Sequence, residues 1–321
     1  MYALGIDVGG TKTLAVMVDR DLNVVARLEE RTMITSDPEK TARQVAQLAL
    51  TLNDETGIIP EGIGVAFAGS VDRDGKVVRQ VSNFPWALPV AFSDLVERWS
   101  DVPVRRLEND VNAALLAEWA LGCHQDVQDM VMFSLGTGTG GGIMSSGRLL
   151  RGDAGYGGEL GHIRVESQSD ARVCGCGRRG CLEAYASGRA LGEAGRSVAA
   201  TDRGRTIREL AGGSAEGVVA GTVFQASEHG DPVGKELVFD FSRYLAQGLA
   251  ILASTVNPAL FVLGGGLTKY SDVFLCDVVR EFRRQMKDGS AEDVPVRLSA
   301  VGPDAAALGA AMLVFPTTQR V

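Results

Sequence analysis

Residues 155–183 read G-Y-G-G-E-L-G-H-I-R-V-E-S-Q-S-D-A-R-V-C-G-C-G-R-R-G-C-L-E, and the rest of the chain is organised around this stretch. It contains Cys174, Cys176 and Cys181, with His162 just upstream. Three thiolates and one imidazole supply the four ligands of a closed tetrahedral zinc site. The glycines between the cysteines allow the backbone to turn tightly enough to point three sulfurs at one ion. The spacing therefore predicts a structural zinc ion.

The alternative interpretation is a disulfide bond or a group of small buried thiols. A bridge between Cys174 and Cys176 would close a very strained ring. The sequence also lacks a secretory segment that would indicate an oxidising compartment. Zinc is therefore the better interpretation of this spacing.

Two carboxylates, Glu159 and Glu183, lie near the two ends of the same stretch. A metal ion bound between them would hold both side chains in fixed positions. Each carboxylate oxygen accepts hydrogen bonds, so two fixed glutamates are suited to binding sugar hydroxyls. For either glutamate alone, a solvated surface charge is the more usual interpretation.

The composition limits the class of protein. A length of 321 residues indicates two domains, and 45% hydrophobic residues suffice for sizeable cores. The net charge of −8 gives no general attraction for nucleic acid or for anionic membranes. The sequence shows neither a leader segment nor an apolar run of about 18 residues, so we expect a cytoplasmic protein without a membrane span.

The start of the chain predicts two strands joined by a glycine turn. Tyr2–Asp7 and Thr13–Val18 are short apolar runs, and D-V-G-G-T-K (7–12) connects them. A tight turn of this kind exposes backbone N–H groups that can bind a phosphate, and Asp7 could hold a metal ion. The candidate phosphate ligands are Gly9, Gly10, Thr11 and Lys12. The alternative is an ordinary hairpin.

The motif E-N-D-V-N-A-A (108–114) marks a junction between a strand and a helix. The run Val102–Leu107 predicts the strand, and Asp110 falls near the start of the helix. Helix capping is the default interpretation of an aspartate at this position. The functional interpretation is a general base, because open α/β sheets bind ligands in crevices beyond the carboxyl ends of their strands.

The run G-T-G-T-G-G-G (136–142) follows another apolar strand, Met130–Leu135. It formally contains the glycines of a dinucleotide-binding motif, but that motif requires a helix next, and a strand-like segment follows instead. We therefore reject a dinucleotide site, and the chain also lacks a P-loop motif. The repeated strand–turn–strand pattern indicates duplicated halves whose two turns could hold a nucleotide triphosphate.

Strands and helices alternate along most of the chain, which predicts the α/β class. The predicted helices include Asp37–Glu55, a short helix capped by Ser93, and Ser214–Glu228. The strand Leu260–Leu263 runs into G-G-G-L, where the glycines would let a flat ligand lie against the backbone.

These motifs occur in the order known from the ROK family of bacterial sugar kinases, N-acetylhexosamine kinases and transcriptional repressors, which the chain resembles over essentially its whole length. The resemblance implies an α/β, two-domain, actin/hexokinase-like (ribonuclease H-like) fold with a cleft between the domains, and a homodimer or homotetramer. It also implies an N-terminal domain of residues 1–115, completed by a C-terminal helix 304–316, and a larger domain of residues 116–303 with the zinc-binding loop.

The resemblance assigns roles to individual residues. Asp110 matches the catalytic base, and Asp7 lies near the magnesium ion. Nucleotide-binding positions are Gly9, Gly10, Thr11, Lys12, Thr137, Gly138, Gly265 and Gly266. Sugar-binding positions are Gly69, Asn83, Asn109, Asp110, Glu159, His162 and Glu183. The zinc ligands are His162, Cys174, Cys176 and Cys181, so that His162 would serve both the metal and the sugar with its two ring nitrogens.

The function implied is transfer of a phosphoryl group from ATP to the 6-hydroxyl of an aldohexose, with Mg²⁺ and a structural Zn²⁺. The run C-L-E-A-Y-A-S-G (181–188) is closer to the glucokinase version of this motif, which favours glucose. An N-acetylhexosamine kinase and a fructokinase are the alternatives. The loop A-G-S-V-D (68–72) lacks the prolines common in the family. The resemblance places this loop beside the sugar, so the missing prolines bear on the rigidity of the loop and on sugar specificity.

A sugar-responsive repressor is the alternative from another functional class. Repressors of this family carry an N-terminal helix-turn-helix, whereas this acidic chain begins directly on the strand of the first phosphate turn. Both features disfavour binding to DNA.

Overall fold

The computed structural model describes residues 1–122, 124–286 and 293–315, which form two compact units. Unit 1 consists of Met1–Gln128, Gly142–Gly158 and the chain from Ser299 onward, and unit 2 consists of Asp129–Gly141 and Glu159–Leu298. The predicted α/β class is confirmed by the alternation of strands and helices. Among the described residues, no helix is long and apolar enough to cross a membrane.

The elements are as follows in chain order. The described strands are β1 (Tyr2–Val8), β2 (Lys12–Asp19), β3 (Val24–Arg31), β4 (Ile63–Phe67), β5 (Gly69–Val71), β6 (Val78–Val81), β7 (Val104–Asn109), β8 (Met130–Leu135), β9 (Thr139–Ser145), β10 (Arg148–Leu149), β11 (Leu260–Gly264) and β12 (Val296–Leu298). The described α-helices are α1 (Pro38–Thr56), α2 (Phe92–Glu97), α3 (Asp110–Leu121), α4 (Gly188–Ala199), α5 (Arg205–Leu210), α6 (Ala220–Glu228), α7 (Pro232–Val256), α8 (Ser271–Gln285) and α9 (Ala305–Met312).

The sheet of unit 1 has the strand order β3-β2-β1-β4-β7. The first three strands are antiparallel neighbours, whereas β4 pairs in parallel with both β1 and β7. Every residue of β4 is buried, as expected for a strand covered on both faces. The register places Asp7 opposite Ala66 and Phe67 opposite Asn109. The carboxyl ends of β1, β4 and β7 therefore lie at one edge of the sheet.

The helix α9 packs against one face of this sheet at glycines. A Cβ atom on Gly5 of β1 would lie 1.8 Å from the carbonyl oxygen of Ala307, and one on Gly64 of β4 would lie 1.9 Å from that of Ala310. Only glycine admits such a close approach, so the backbone of α9 lies directly on the two strands. Residue 316 of the predicted closing helix lies outside the described residues.

The helix α1 covers a hydrophobic core that includes alternate residues of β1. Leu4 and Ile6 are fully buried and belong to the same core as Val45, Leu48 and Leu52 of α1. The helix predicted over Asp37–Glu55 is confirmed, and these three residues are spaced to lie on one face of it. Burying each leucine contributes roughly 1.5–3 kcal/mol, which fixes the helix on the sheet.

A second sheet has the strand order β10-β9-β8-β11-β12. The buried strand β11 pairs in parallel with β8, so that Gly264 lies opposite Ser134 and the carboxyl ends of both strands meet at one edge. The helices α6, α7 and α8 of unit 2 share a cluster of aromatic rings with centroid distances of 5.5–5.9 Å, formed by Phe224, Phe241 and Phe274. The strand β9 follows the second glycine turn directly, which agrees with the rejection of a dinucleotide site.

Two local predictions are wrong. Ser93 does not cap a helix but lies inside α2, whose N-cap is Ala91, because the buried Phe92 begins the helix one residue earlier. The predicted helix Ser214–Glu228 begins only at α6. The hydroxyl of Ser214 accepts a hydrogen bond from the backbone N–H of Glu216, and such a local turn competes with helix formation.

Candidate functional site

The turn between β1 and β2 lies against a predicted sugar contact. The N–H of Gly9 donates to the carbonyl oxygen of Lys12 at 3.1 Å, which closes the turn. A Cβ atom on Gly10 would lie 2.7 Å from Cγ of Asn83, so the amide of Asn83 packs directly on the turn. Lys12 forms a 3.1 Å ion pair with Glu29. Exposed pairs of this kind are weak, so the ammonium can exchange Glu29 for a phosphate.

Asp7 is a half-buried carboxyl near the end of β1. Burial raises the pKa of Asp7 to about 6, and the positive charge of Lys12 opposes this rise only in part. A cation placed beside Asp7 would favour its ionised form. Mg²⁺ is a hard ion that prefers oxygen ligands, so this carboxylate fits the predicted position next to magnesium.

At the junction of β7 and α3, the helix cap and the candidate base are two adjacent residues, Asn109 and Asp110. Oδ1 of Asn109 accepts hydrogen bonds from the backbone N–H groups of Val111 (2.9 Å) and Asn112 (3.0 Å), so Asn109 is the N-cap of α3. The capping interpretation of Asp110 is therefore wrong. Asp110 is the first residue of α3, and its Oδ1 accepts from the N–H of Val111 at 2.9 Å. Its carboxylate thus lies at the positive end of the helix dipole.

Asn109 also fixes the loop that departs from the family pattern. Its Nδ2 donates to the carbonyl oxygen of Gly69 at 3.0 Å. Gly69 is required there, because a Cβ atom would lie 2.1 Å from the carbonyl oxygen of Gln80. The pairing of β5 with β6 holds this loop without prolines. These contacts use three of the four hydrogen-bonding positions of the Asn109 amide, and the second Nδ2 hydrogen is the one that a ligand can receive.

The four predicted zinc ligands converge in unit 2. The ligand atoms of His162, Cys174, Cys176 and Cys181 all lie within 4.8 Å of one another. The Sγ atoms of Cys176 and Cys181 are 3.8 Å apart, and Sγ of Cys174 lies 3.6 Å from Nδ1 of His162. In a tetrahedron with the usual zinc–ligand bond lengths, these edges measure about 3.8 Å and about 3.6 Å. These two distances therefore match the edges of a closed zinc site, and the sulfurs of Cys176 and Cys181 are much too far apart for a disulfide.

The backbone of the cysteine loop is built for this convergence. Gly177 and Gly180 have φ angles of 83° and 79°, which lie in the left-handed region that favours glycine. Burial raises the pKa of Cys174 to about 12. Burial also acts to raise the pKa of Cys176, but hydrogen bonds with Arg178, Cys174 and Cys181 together outweigh it and lower the pKa of Cys176 to about 6. Cys176 is thus the sulfur that most readily becomes the thiolate that a metal requires.

Glu183 connects the cysteine loop to the second glycine turn. Its Oε2 accepts from the N–H of Thr139 at 3.1 Å, and its Oε1 lies 3.5 Å from Sγ of Cys174. A Cβ atom on Gly138 would lie 2.4 Å from Oε2, so Glu183 packs against this turn. The turn is also held by the N–H of Gly188, which donates to the carbonyl oxygen of Gly136 at 2.9 Å.

His162 and Glu159 lie on the same short segment. His162 ends a 3-10 helix (Leu160–His162), and its backbone N–H donates to the carbonyl oxygen of Glu159 at 3.1 Å. Nδ1 of His162 faces the sulfur cluster. Nε2 is therefore the nitrogen that remains for a second partner, as the prediction of a dual role requires.

The predicted adenosine loop follows β11. Gly265 has a φ angle of 88°, and a Cβ atom there would lie 2.5 Å from the carbonyl oxygen of Leu135 at the end of β8. The ends of β8 and β11 thus place Thr137, Gly138, Gly265 and Gly266 at one edge of their sheet. A ligand crevice is expected at such an edge.

Three charged residues that the sequence motifs do not assign to the site, Arg189, Glu108 and Arg151, contact its predicted residues or one another. Nη2 of Arg189 lies 3.1 Å from Oε1 of Glu183, and its backbone N–H donates to the carbonyl oxygen of Thr137 at 3.0 Å. Glu108 is 4% exposed, and its Oε2 accepts from Nε of Arg151 at 2.6 Å. Glu108 could be noticed from the sequence as the acidic residue that directly precedes Asn109 and Asp110, whereas the contacts of both arginines depend on the folding of the chain.

Comparisons with known proteins show the family of this chain. The family model of the ROK family matches residues 3–316, so the chain belongs to the ROK family. A glucokinase of Streptomyces coelicolor is 34% identical over 313 residues, which cover 97% of this chain and 96% of that protein. An N-acetylmannosamine kinase of Citrobacter koseri is 32% identical over 314 residues, which cover 98% of each chain.

A solved structure also resembles this chain over its whole length. It is the crystal structure of a ROK family glucokinase from Streptomyces griseus in complex with glucose and AMPPNP. The two chains are 33% identical, the TM-score is 0.82, and the match covers 98% of this chain and 99% of that one. The actin/hexokinase-like fold of the ROK sugar kinases, expected from the motifs, is therefore confirmed.

Proposed function

We propose that this ROK family protein is a hexose kinase that transfers the γ-phosphoryl group of ATP to the 6-hydroxyl of an aldohexose, preferably glucose. The observation that carries the proposal lies in unit 1. The glycine turn follows the carboxyl end of β1, and Asn109 and Asp110 lie at the carboxyl end of β7. Asn83 packs against the glycine turn. The similarity to two glucokinases over nearly the whole chain supports it.

Asp110 is the proposed base. It accepts the proton of the 6-hydroxyl while the 6-oxygen forms a bond to the γ-phosphorus and the bond from that phosphorus to the β–γ bridging oxygen breaks, which releases ADP. Such a transfer depends mainly on alignment and on neutralising charge, so a rigidly held carboxylate is suitable. The start of α3 provides that rigidity, because Asn109 caps it and frees Asp110 from that task.

The phosphates are proposed to bind at the two glycine turns. In unit 1, the N–H groups around Gly9–Lys12 and the ammonium of Lys12 would offset their negative charge. In unit 2, Thr137 and Gly138 form the second phosphate turn, and Gly265 and Gly266 would let the adenosine lie against the backbone. Mg²⁺, when bound beside Asp7, supplies further positive charge to the phosphates.

The sugar is proposed to bind to side chains that the structure holds firmly. Asn109 would donate one hydrogen bond through Nδ2, and Asn83 would contact the sugar beside the first turn. Glu159 and Glu183 would accept hydrogen bonds from hydroxyls, and His162 would use Nε2. Gly69 would limit the shape of the loop next to the sugar.

The Cys/His cluster is proposed to hold a structural Zn²⁺. Bound zinc would be closed off by four protein ligands and would contribute to folding rather than to the chemistry. Its role would be to fix the loop between Cys174 and Cys181, and through it the two side chains His162 and Glu183.

The preference for glucose rests on the run C-L-E-A-Y-A-S-G and on the glucokinase relatives. N-acetylmannosamine kinases are about as similar, which makes an acetamido sugar the second candidate. A pocket that binds a 2-hydroxyl leaves its polar groups unpaired when an acetamido group replaces it, and discrimination can reach on the order of 10⁴. The oligomeric state and the cytoplasmic location stay predictions.

The test is an ADP-release assay with glucose, mannose, fructose, N-acetylglucosamine and N-acetylmannosamine. We expect the highest kcat/KM for glucose. A higher value for an acetamido sugar would reverse the preference and leave the kinase assignment standing. If no hexose supports ADP release, the proposed reaction is wrong.

A further inference from the structure

Glu108 is a buried charge immediately before the residues Asn109 and Asp110. It is 4% exposed, and both of its oxygens are in use. Oε1 accepts from the backbone N–H of Asn109 and from Nδ2 of Asn112, each at 3.1 Å. Oε2 accepts from Nε of Arg151 at 2.6 Å. A buried carboxylate is costly unless it is paired and hydrogen-bonded, and this one meets both conditions.

Arg151 is the principal partner of this carboxylate. Nε of Arg106 lies 3.6 Å from Oε2, but the guanidinium of Arg106 donates instead to the carbonyl oxygen of Arg73 at 2.6 Å. Arg151 also fixes the segment that leads to Glu159, since its carbonyl oxygen accepts from the N–H of Gly157 at 2.8 Å.

The contacts of Glu108 hold the first turn of α3 from both ends. They fix the N–H of Asn109, the cap, and the side chain of Asn112, which lies one turn further along the helix. Oδ1 of Asn112 is buried and has no hydrogen-bond partner among the described residues. The Asn112 amide thus donates to Glu108 through Nδ2 while its oxygen Oδ1 is left without a donor. Leaving a buried acceptor unsatisfied costs free energy.

We propose that Glu108 and Arg151 are positioning residues that orient Asp110 for proton transfer by holding the β7–α3 junction. The inference rests on the proposed function, because it assigns the base to Asp110. A misplacement of a reacting group by about 1 Å can cost about 10²-fold in rate. Loosening this junction should thus lower kcat, while substrates that are bound mainly by other groups keep their KM.

The experiment compares four variants of the full chain with the wild type. Glu108→Gln keeps the size of the side chain but replaces one acceptor oxygen with a donor, so the amide can serve Arg151 or the donors of Asn109 and Asn112 but not both. Among the described residues, Arg151→Met leaves the buried carboxylate with only the Arg106 guanidinium nearby, at 3.6 Å. The double variant removes both charges, which is often neutral for stability. Glu118→Gln is the matched control. Glu118 is, like Glu108, a buried carboxylate, but it lies on α3 about 12 Å along the helix from Asp110 and accepts from the N–H of Ala300 at 2.9 Å.

We expect kcat for the best hexose to fall about 10- to 100-fold in both single variants, with KM for sugar and for ATP within about threefold of the wild type. The double variant should melt at a higher temperature than Arg151→Met and yet keep the low kcat. Glu118→Gln should lower the melting temperature and keep kcat within about twofold.

Two results would overturn the inference alone. One is a wild-type kcat in Glu108→Gln and in the double variant. The other is a loss of kcat that follows the loss of melting temperature in all four variants, which indicates a merely structural role. If Arg151→Met does not fold, the other two site variants still decide. A wild-type protein that phosphorylates no hexose overturns the proposed function, and this inference with it.

Discussion

Replacing Asp110 with asparagine should abolish most of the turnover while leaving the fold intact. The structure explains why the two effects separate. Asn109, not Asp110, caps α3, so the cap remains in the variant. The Oδ1 of asparagine at position 110 can still accept from the N–H of Val111, as Asp110 does at 2.9 Å. The change thus removes a proton acceptor and one negative charge, with almost no change in shape.

The expected magnitudes differ widely. Losing a negative charge at the start of a helix costs about 0.3–1 kcal/mol of stability, which lowers the melting temperature by only a few degrees. Losing a positioned general base lowers kcat by roughly 10²–10⁴-fold, or about 3–5 kcal/mol in activation free energy. The loss of rate therefore exceeds anything that the loss of stability can explain.

The assay is ADP release with saturating glucose, combined with calorimetric titration of glucose and thermal melting. Glu39→Gln is the matched control, because Glu39 is the acidic residue in the first turn of α1 and has no predicted role in the site. It should show the same small loss of stability with unchanged turnover. Turnover of Asp110→Asn within about threefold of the wild type would refute the reasoning and place the base elsewhere.

Three further predictions follow from the geometry of the site. Elemental analysis should find one zinc per chain in the wild type and none in Cys176→Ser, whose melting temperature should fall to that of chelator-treated protein; a metal-free wild type with full activity and stability would contradict this. Because the pKa of Asp7 is raised to about 6, its carboxyl gains a proton as the pH falls through 6. The affinity for Mg²⁺-ATP should therefore decline below pH 6. Asp7→Asn should raise the melting temperature of the ligand-free protein at pH 8, where Asp7 is ionised, but not near pH 4, where it is protonated in the folded protein. Equal gains at both pH values would show that burial of the charge is not the cause. Gly138→Ala should lower kcat/KM about 10-fold or more, because its Cβ atom would lie 2.4 Å from Oε2 of Glu183. Gly136→Ala is the control and should lose less, because the atom nearest to its Cβ would be 4.0 Å away. Equal losses in both variants would exclude the contact with Glu183 as the reason.

The sequence predicts the site well where the signal is local or where it ends a strand. All four candidate metal ligands lie between positions 162 and 181, and their spacing alone predicts the cluster that the structure shows. The apolar run that becomes β1 and the strand predicted at Val102–Leu107 likewise indicate where the functional loops begin. The cap of α3 was assigned to the wrong residue because asparagine and aspartate cap helices about equally well, so only the geometry distinguishes Asn109 from Asp110.

Contacts between distant residues are not visible in any local pattern. Glu108 and Arg151 are 43 positions apart, and their ion pair exists only because the chain returns to the β7–α3 junction after β10. A buried glutamate in a strand indicates that a partner must exist, since an unpaired charge there is too costly, but it does not identify that partner.

The two glycine turns show what the structure adds to a motif. From the sequence, the glycines of D-V-G-G-T-K and G-T-G-T-G-G-G need only allow a phosphate to approach the backbone. In the structure, a Cβ atom on Gly10 would meet Asn83 at 2.7 Å in unit 1, and one on Gly138 would meet Glu183 at 2.4 Å in unit 2. Each turn thus has a second reason to carry glycine, which is the close packing of a predicted sugar-binding side chain. Asn83 and Glu183 already touch these turns and cannot move closer to them. A movement of either side chain on binding sugar would therefore separate it from its turn or move the turn as well.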